Sequence, residues 1–220
     1  MTESRQNGDD APLHDEAARL LALRETLVMD TASEQVFDDL TQLASRICGT
    51  PIALLSLVDA ERQWFKSKVG LAVNQTPREL AFCAHAIQAP DKLMEVPDAQ
   101  ADPRFASNPL VTGEPRIAFY AGVPVLSSEG FALGTLCVID RQSRSLSPEQ
   151  RDSLQALART AGELLRARRQ RAQLLQTCDQ LQESDARFRR MAQDAPVKMW
   201  MSDASGARVF NNQRWCEYVG

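Results

Sequence analysis

Between Pro51 and Asp59 the chain reads PIALLSLVD, nearly all apolar, as a strand buried on both faces would be. The segments around it carry a different period. A helix is predicted over 15–27, and a second is signed by Thr31 and Glu34, a capping-box pair. Val36, Phe37, Leu40, Leu43, Ala44 and Ile47 fall on one face of that second helix, and Gly49 supplies its stop. After the apolar strand, a polar turn at Ala60–Arg62 leads into Gln63–Lys68, whose alternation suggests an antiparallel partner. Residues 74–102 are punctuated by Pro77, Pro90 and Pro97, with a short helix expected near Phe82–Ile87 and a strand near Leu93–Val96. A loop-rich stretch follows to Pro115. Ile117–Val125 and Phe131–Asp140 flank a Ser127–Gly130 turn and read as a hairpin. Strands in the middle with helices at both ends make an α+β domain over 15–165.

The C-terminal side is dominated by one helical stretch. Ser147-Pro148-Glu149-Gln150 is a helix entry with serine as cap, proline at the first helical position and glutamine closing the box; no further proline occurs before Pro196. Leu154, Leu157, Ala161, Leu164, Leu175 and Cys178 lie on a 3-4 spaced seam, with Arg168 and Arg171 at its two inward positions between them. Six of eight seam places are apolar, enough for a short coiled coil and hence a homodimer through this helix. The arginines fall in RARRQR (166–171), readable as a solvated helix surface or as a seam weakened so that it can shift register. The linker is placed at 166–186. Beyond it, Phe188, Met191 and Ala195 suggest a short helix, Val197–Ser202 alternates like a strand, and Asp203–Gly206 is turn chemistry. Arg208–Phe210 resumes a strand, and Asn211 is positioned to cap a helix through Trp215.

Composition removes several classes. A hydrophobic share of 44% and a charged share of 25% exclude collagen-like and wholly disordered chains. A net charge of −4 gives no global basic field, and the arginine run lacks interleaved aromatics, so no nucleic-acid partner is expected. No apolar run approaches the ~20 residues that span a bilayer, and the polar, acidic leader at 1–14, taken as disordered, does not resemble a signal peptide. A cytoplasmic protein without a membrane partner is the expectation. Five scattered cysteines, with neither CxxC nor CxxH, fit reduced thiols and no metal site. Two histidines, His14 and His85, leave little for acid–base chemistry.

Five blocks, SLVDAERQWFKSKVGL (56–71), TPRELAFCAHAI (76–87), VPDAQADPRFASNPLVTG (96–113), IAFYAGVPV (117–125) and GTLCVID (134–140), resemble a GAF domain in the same order. Such domains stand near the N-terminus of bacterial sensor kinases and cyclic-dinucleotide signalling proteins. Residues 187–220 resemble the first third of a PAS domain, through FRRMAQDAPVKMWMSDASGARVFNNQRW. The resemblance implies a central antiparallel sheet of about six strands, the terminal helices on one face, a pocket on the other, and a long C-terminal signalling helix leading into an incomplete PAS-like segment. A parent protein would end in a histidine kinase, the favoured reading, or in a cyclic-dinucleotide enzyme.

Candidate pocket residues are Trp64, Phe65, Phe82, Cys83, His85 and Tyr120. Each has a plain alternative. Trp64 or Phe65 lines the pocket or packs the core; Cys83 is a small buried hydrophobe or a ligand-attachment point, and His85 a hydrogen-bonded structural group or pocket wall. Tyr120 faces the pocket or is buried with its hydroxyl satisfied. On a helix, Cys83 and His85 point to different sides, so no thiol–imidazole pair is expected. The Asn-Lys…Phe…Asp-Glu pattern of cyclic-nucleotide-binding relatives is replaced by Phe119–Pro124. The Asp-containing motif of bilin-binding relatives is missing, so a bilin or other chromophore is not favoured and the cofactor stays open. A peroxide-to-thiol cycle through Cys83 lacks an identifiable resolving cysteine, Cys137 being read as core. No catalytic residues are assigned. The leading expectation is a sensory module that passes a ligand- or partner-dependent change along a dimeric helix, the alternatives being a purely structural dimerisation module or a thiol enzyme.

Overall fold

The computed structural model describes residues 15–219; the acidic leader with His14 lies outside them. The described chain divides into two compact units, one ending at Arg169 and the other beginning at Gln170. In the first unit, α1 (Glu16–Glu25) and α2 (Gln35–Cys48) precede β1 (Ile52–Val58), β2 (Arg62–Val69) and β3 (Gln75–Pro77). A 3-10 turn at Arg78–Leu80 leads to α3 (Phe82–Ala86), then β4 (Met94–Val96), α4 (Pro109–Thr112), β5 (Phe119–Leu126) and β6 (Ala132–Asp140). Helix α5 runs from Pro148 to Asp194. The six strands form one antiparallel sheet in the order β3-β2-β1-β6-β5-β4, as the α+β reading expects.

Burial follows the sequence pattern. All seven residues of β1 are buried, and eight of nine in β6, because these two strands sit at the centre with both faces covered. On one face, α1, α2 and the first part of α5 pack through Leu23, Phe37, Leu40, Ala44, Leu154, Ala158, Ala161 and Leu165 onto Ala53, Leu55, Leu57, Phe119 and Leu136. On the other, α3, α4 and their loops pack through Phe82, Phe105 and Val111 onto Leu54, Phe65, Tyr120, Cys137 and Ile139. Arg19 ties the layers, donating from a buried guanidinium to the carbonyls of Val58 (2.8 Å) and Ala132 (3.4 Å).

Several local expectations change. Thr31 and Glu34 do not form a capping box: Glu34 itself is the residue before the helix and caps nothing, while Thr31 donates back to Val28 O at 2.7 Å. Both are occupied by Lys66 instead. The second box is as expected, Ser147 N bonding Gln150 Oε1 (3.0 Å) and Gln150 N bonding Ser147 Oγ (3.2 Å). The apolar face of α2 is wider than its buried stripe: Phe37, Leu40 and Ala44 are buried, whereas Val36, Leu43 and Ile47 are each more than 40% exposed. Strand β2 does not alternate throughout. Leu55 pairs with Ser67 and Ser56 with Phe65, so Lys66 is an extra residue, a bulge.

The second unit has its own short elements, β7 (Trp200–Ser202), β8 (Arg208–Asn211) and α6 (Gln213–Val219), with β7 and β8 paired antiparallel. The separate helix expected around Phe188–Ala195 is not separate, since α5 continues to Asp194. The capping asparagine is Asn212 rather than Asn211. Its buried side chain accepts from Met199 N (2.9 Å) and Trp215 N (3.1 Å) and donates to Ala192 O (3.0 Å) and Val197 O (2.8 Å). Apart from Ala192 and Asn212 the unit buries almost nothing, as so few residues would predict.

Candidate functional site

Two features share the sheet face opposite the long helices. The first is a buried polar cluster around Cys83. Thr135 on β6 donates its hydroxyl to Cys83 Sγ at 3.0 Å and Tyr120 on β5 donates at 3.4 Å. The Cys137 sulfur lies 3.9 Å from that of Cys83. Nearby, Ser56 on β1 donates to Gln63 Oε1 at 3.2 Å. Burial pushes the Cys83 thiol up, but hydrogen bonds from Cys137, Thr135 and Tyr120 outweigh it and hold the thiol below its ordinary value. Cys137 is driven up, by its hydrogen bond to Cys83 and by burial. Phe82 roofs the cluster, stacked on Phe105 with centroids 4.0 Å apart and on Tyr120 at 5.2 Å.

The second feature is an apolar cavity of ≈ 460 Å³ bounded by Leu54, Phe65, Leu71, Leu110, Ile117 and Ile139, with Glu114 and Arg141 among its polar borders. Its size is that of a small-molecule site. Two polar side chains interrupt the apolar wall: Gln63, which is 5% exposed, and Thr76, whose Oγ1 is buried without a hydrogen-bond partner among the described residues. A buried hydroxyl left unpaired is costly, and a ligand polar group would satisfy it. A larger cleft of ≈ 690 Å³ lies on the helix side between α2 and β2. It is a polar groove along the Lys66 contacts and matches a small organic ligand less well.

The structure distributes the six candidate residues unevenly. Phe82, Cys83 and Tyr120 come together in the buried cluster, and Phe65 lines the cavity. Trp64 lies on the other face, in the helix-side core and on the border of the larger cleft. His85 is largely exposed and meets Phe105 edge-on at 4.9 Å; its partial desolvation and then Arg104 lower its pKa. Sequence reasoning missed Cys137 as a neighbour of Cys83, and Thr76 and Gln63 as the polar points of the cavity. Pairing of thiols 54 positions apart leaves no local signal.

The seam residues also divide. Leu154 and Ala161 are buried against the sheet, Leu157 and Leu164 are half-buried there, and Leu175 and Cys178 are exposed in the second unit, as is Arg171. Arg168 is not free on the helix surface: it donates to Glu34 and to Leu27 O. Arg169 pairs with Glu25 and Glu129. The bulge explains the Glu34 end of this network. With Lys66 as the extra residue, Phe65 faces the cavity while Lys66 and Ser67 both turn to α2. The Lys66 ammonium, wholly buried, donates to Thr31 Oγ1 (2.8 Å), Ala32 O (2.6 Å) and Glu34 Oε1 (2.7 Å). The same Glu34 oxygen accepts from Arg168 of α5.

No described helix is long and apolar enough to cross a membrane, and no cluster of three or more metal-ligating side chains occurs among the described residues. Residues 33–165 match the GAF domain family. Cyclic di-GMP phosphodiesterase PA2567 of Pseudomonas aeruginosa is 46% identical over 130 residues, which is 59% of this chain. The chain spans 22% of that relative's length. The GAF domain of an Acinetobacter phosphoenolpyruvate-protein phosphotransferase has the same fold, at 19% identity and a TM-score of 0.51, covering 67% of this chain and 92% of that one. So does the blue-light absorbing form of the Thermosynechococcus elongatus PixJ GAF domain, at 14% identity and a TM-score of 0.53, covering 74% and 96%. With six antiparallel strands, helices on one face, a ligand-sized cavity on the other and a family match over more than half its length, this chain belongs to the GAF domain family.

Proposed function

We propose that the chain is a cytoplasmic sensory module of a cyclic-dinucleotide signalling protein, binding a small, largely apolar molecule beside Phe65. The observation that carries this reading is the apolar cavity with an unpaired buried hydroxyl on Thr76. The ligand would place one hydroxyl or carbonyl against Thr76 and Gln63. A change at Phe65 would reach the opposite face through the next residue, Lys66, then Glu34 and Arg168 of α5. The high identity to a phosphodiesterase supports a cyclic-dinucleotide output over a histidine kinase. The module itself carries no catalytic role in this reading.

Native mass spectrometry of the purified chain against a denatured run tests it. Extra mass lost on denaturation is expected, and Leu71→Trp, which fills the cavity, is expected to abolish it. The mass of the chain alone, both as purified and after incubation with the small-molecule fraction of the producing cells, would overturn the ligand reading and leave a dimerisation module.

We also propose that α5 pairs in parallel with a second copy and leads into the start of a PAS domain at 187–220. Leu174, Leu175 and Leu181 are more than half exposed on α5, and Cys178 lies among them. In a Cys216→Ser background, mild oxidation is expected to give a covalent dimer through Cys178. A chain that stays monomeric under the same oxidation speaks against the parallel pair.

A further inference from the structure

We propose that Cys83 and Cys137 are a peroxide-oxidisable dithiol, closing to a disulfide that ties α3 to the central strand β6. The inference goes beyond the ligand reading, since neither thiol lines the cavity beside Phe65. Its basis is local geometry. The two sulfurs are 3.9 Å apart, and bonding requires them to close to about 2.05 Å. Cys137 is fixed in a strand paired on both sides, whereas Cys83 sits in a five-residue helix between loops, so α3 is the part that moves. Two hydroxyls, from Thr135 and Tyr120, donate to the Cys83 sulfur inside a fully buried layer. Both thiols are buried, so the same movement of α3 has to admit the peroxide. Donors stabilise a thiolate, the form that reacts.

The reaction balances with hydrogen peroxide as the only added reagent. The Cys83 thiolate attacks one peroxide oxygen, the O–O bond breaks, and hydroxide leaves, taking up the proton that the thiol released. Cys83 is then a sulfenic acid, whose oxygen can accept from the same two hydroxyls. The Cys137 sulfur attacks the Cys83 sulfur, the S–O bond breaks, and a second water leaves with the Cys137 proton. Two thiols are oxidised by two electrons and one peroxide is reduced to two waters. Cys48 provides an internal contrast. It is also buried, but burial pushes its thiol up to about 11, only partly offset by Arg144.

The test uses the full chain with Cys178→Ser and Cys216→Ser, which removes the two exposed thiols. After peroxide treatment the protein is denatured, alkylated, digested and analysed by mass spectrometry. The expected product is a peptide pair joining Cys83 to Cys137, released by dithiothreitol, with Cys48 fully alkylated. Adding Cys137→Ser is expected to stop the reaction at a Cys83 sulfenic acid, trapped by dimedone. Thr135→Val keeps both thiols and similar volume but removes the closer donor, and is expected to slow oxidation several-fold. Three free thiols after treatment, or Cys48 oxidising as fast as Cys83, would overturn the proposal. Circular dichroism of each variant before treatment separates loss of reactivity from loss of fold.

Discussion

Gly134→Ala is expected to destabilise the protein by about 3 kcal/mol or more, or to prevent folding. Gly134 sits in β6 between Leu57 of β1 and Val125 of β5. A Cβ added there would lie 1.9 Å from the Ser56 carbonyl oxygen and 2.7 Å from the Leu57 Cα. Both are backbone atoms of the neighbouring central strand, so no side chain can swing aside; β1 and β6 would have to part. Gly130→Ala is the control. Its φ of +90° disfavours alanine, but an added Cβ there meets nothing within 4 Å, so the expected loss is about 1 kcal/mol. Thermal unfolding followed by circular dichroism distinguishes the two. A Gly134→Ala protein as stable as the control would mean that β1 and β6 can part locally at little cost.

Lys66→Met is expected to cost about 3 kcal/mol, or roughly 6–12 °C in Tm, although methionine matches the lysine stem in length. The ammonium makes three short hydrogen bonds from a wholly buried position, and its loss strips a partner from the Ala32 carbonyl and from Glu34. Glu34 keeps Arg168, which sets an upper limit on the damage. The effect has a pH signature. The Lys66 hydrogen bond holds the Glu34 carboxyl below its ordinary 4.5, against the opposing pull of burial. A depressed folded pKa means that stability from this carboxylate is present above the unfolded value and lost as pH falls through the folded one. The gap between wild type and Lys66→Met should therefore be full at neutral pH and shrink below pH 4.5. Equal stabilities at pH 7 would show that the ion cage contributes nothing net.

Much of the architecture was legible because it depends on period and punctuation. The nearly all-apolar run of β1, the Ser127–Gly130 hairpin turn and the Ser147–Gln150 box each act locally, and each holds in the structure. The illegible parts depend on what distant segments do. Thr31 and Glu34 carry the letters of a capping box, but a buried lysine 32 residues beyond Glu34 competes for them and prevails, since an unpaired buried ammonium costs more than an uncapped helix end. The bulge at Lys66 breaks alternation without a glycine or proline to announce it, which left Trp64 and Phe65 interchangeable as pocket candidates. The register assigns them to opposite faces. Cys137 read as core because a strand position says nothing about which helix covers it. On α2, the face containing Val36, Leu43 and Ile47 was predictable, but how much of it the sheet would cover was not.

The strand order also sets a timetable for synthesis. Strand β1 is paired on one side by β2, which follows it directly, and on the other by β6. Roughly 75 residues separate the end of β1 from the start of β6, about 4–15 s of translation at ~5–20 residues per second. Throughout that interval the most apolar strand in the chain leaves the ribosome with one edge unpaired. The newly made β1–β2 hairpin therefore carries an open edge that the finished sheet does not, since that sheet ends in three-residue edge strands that offer little for another chain to join.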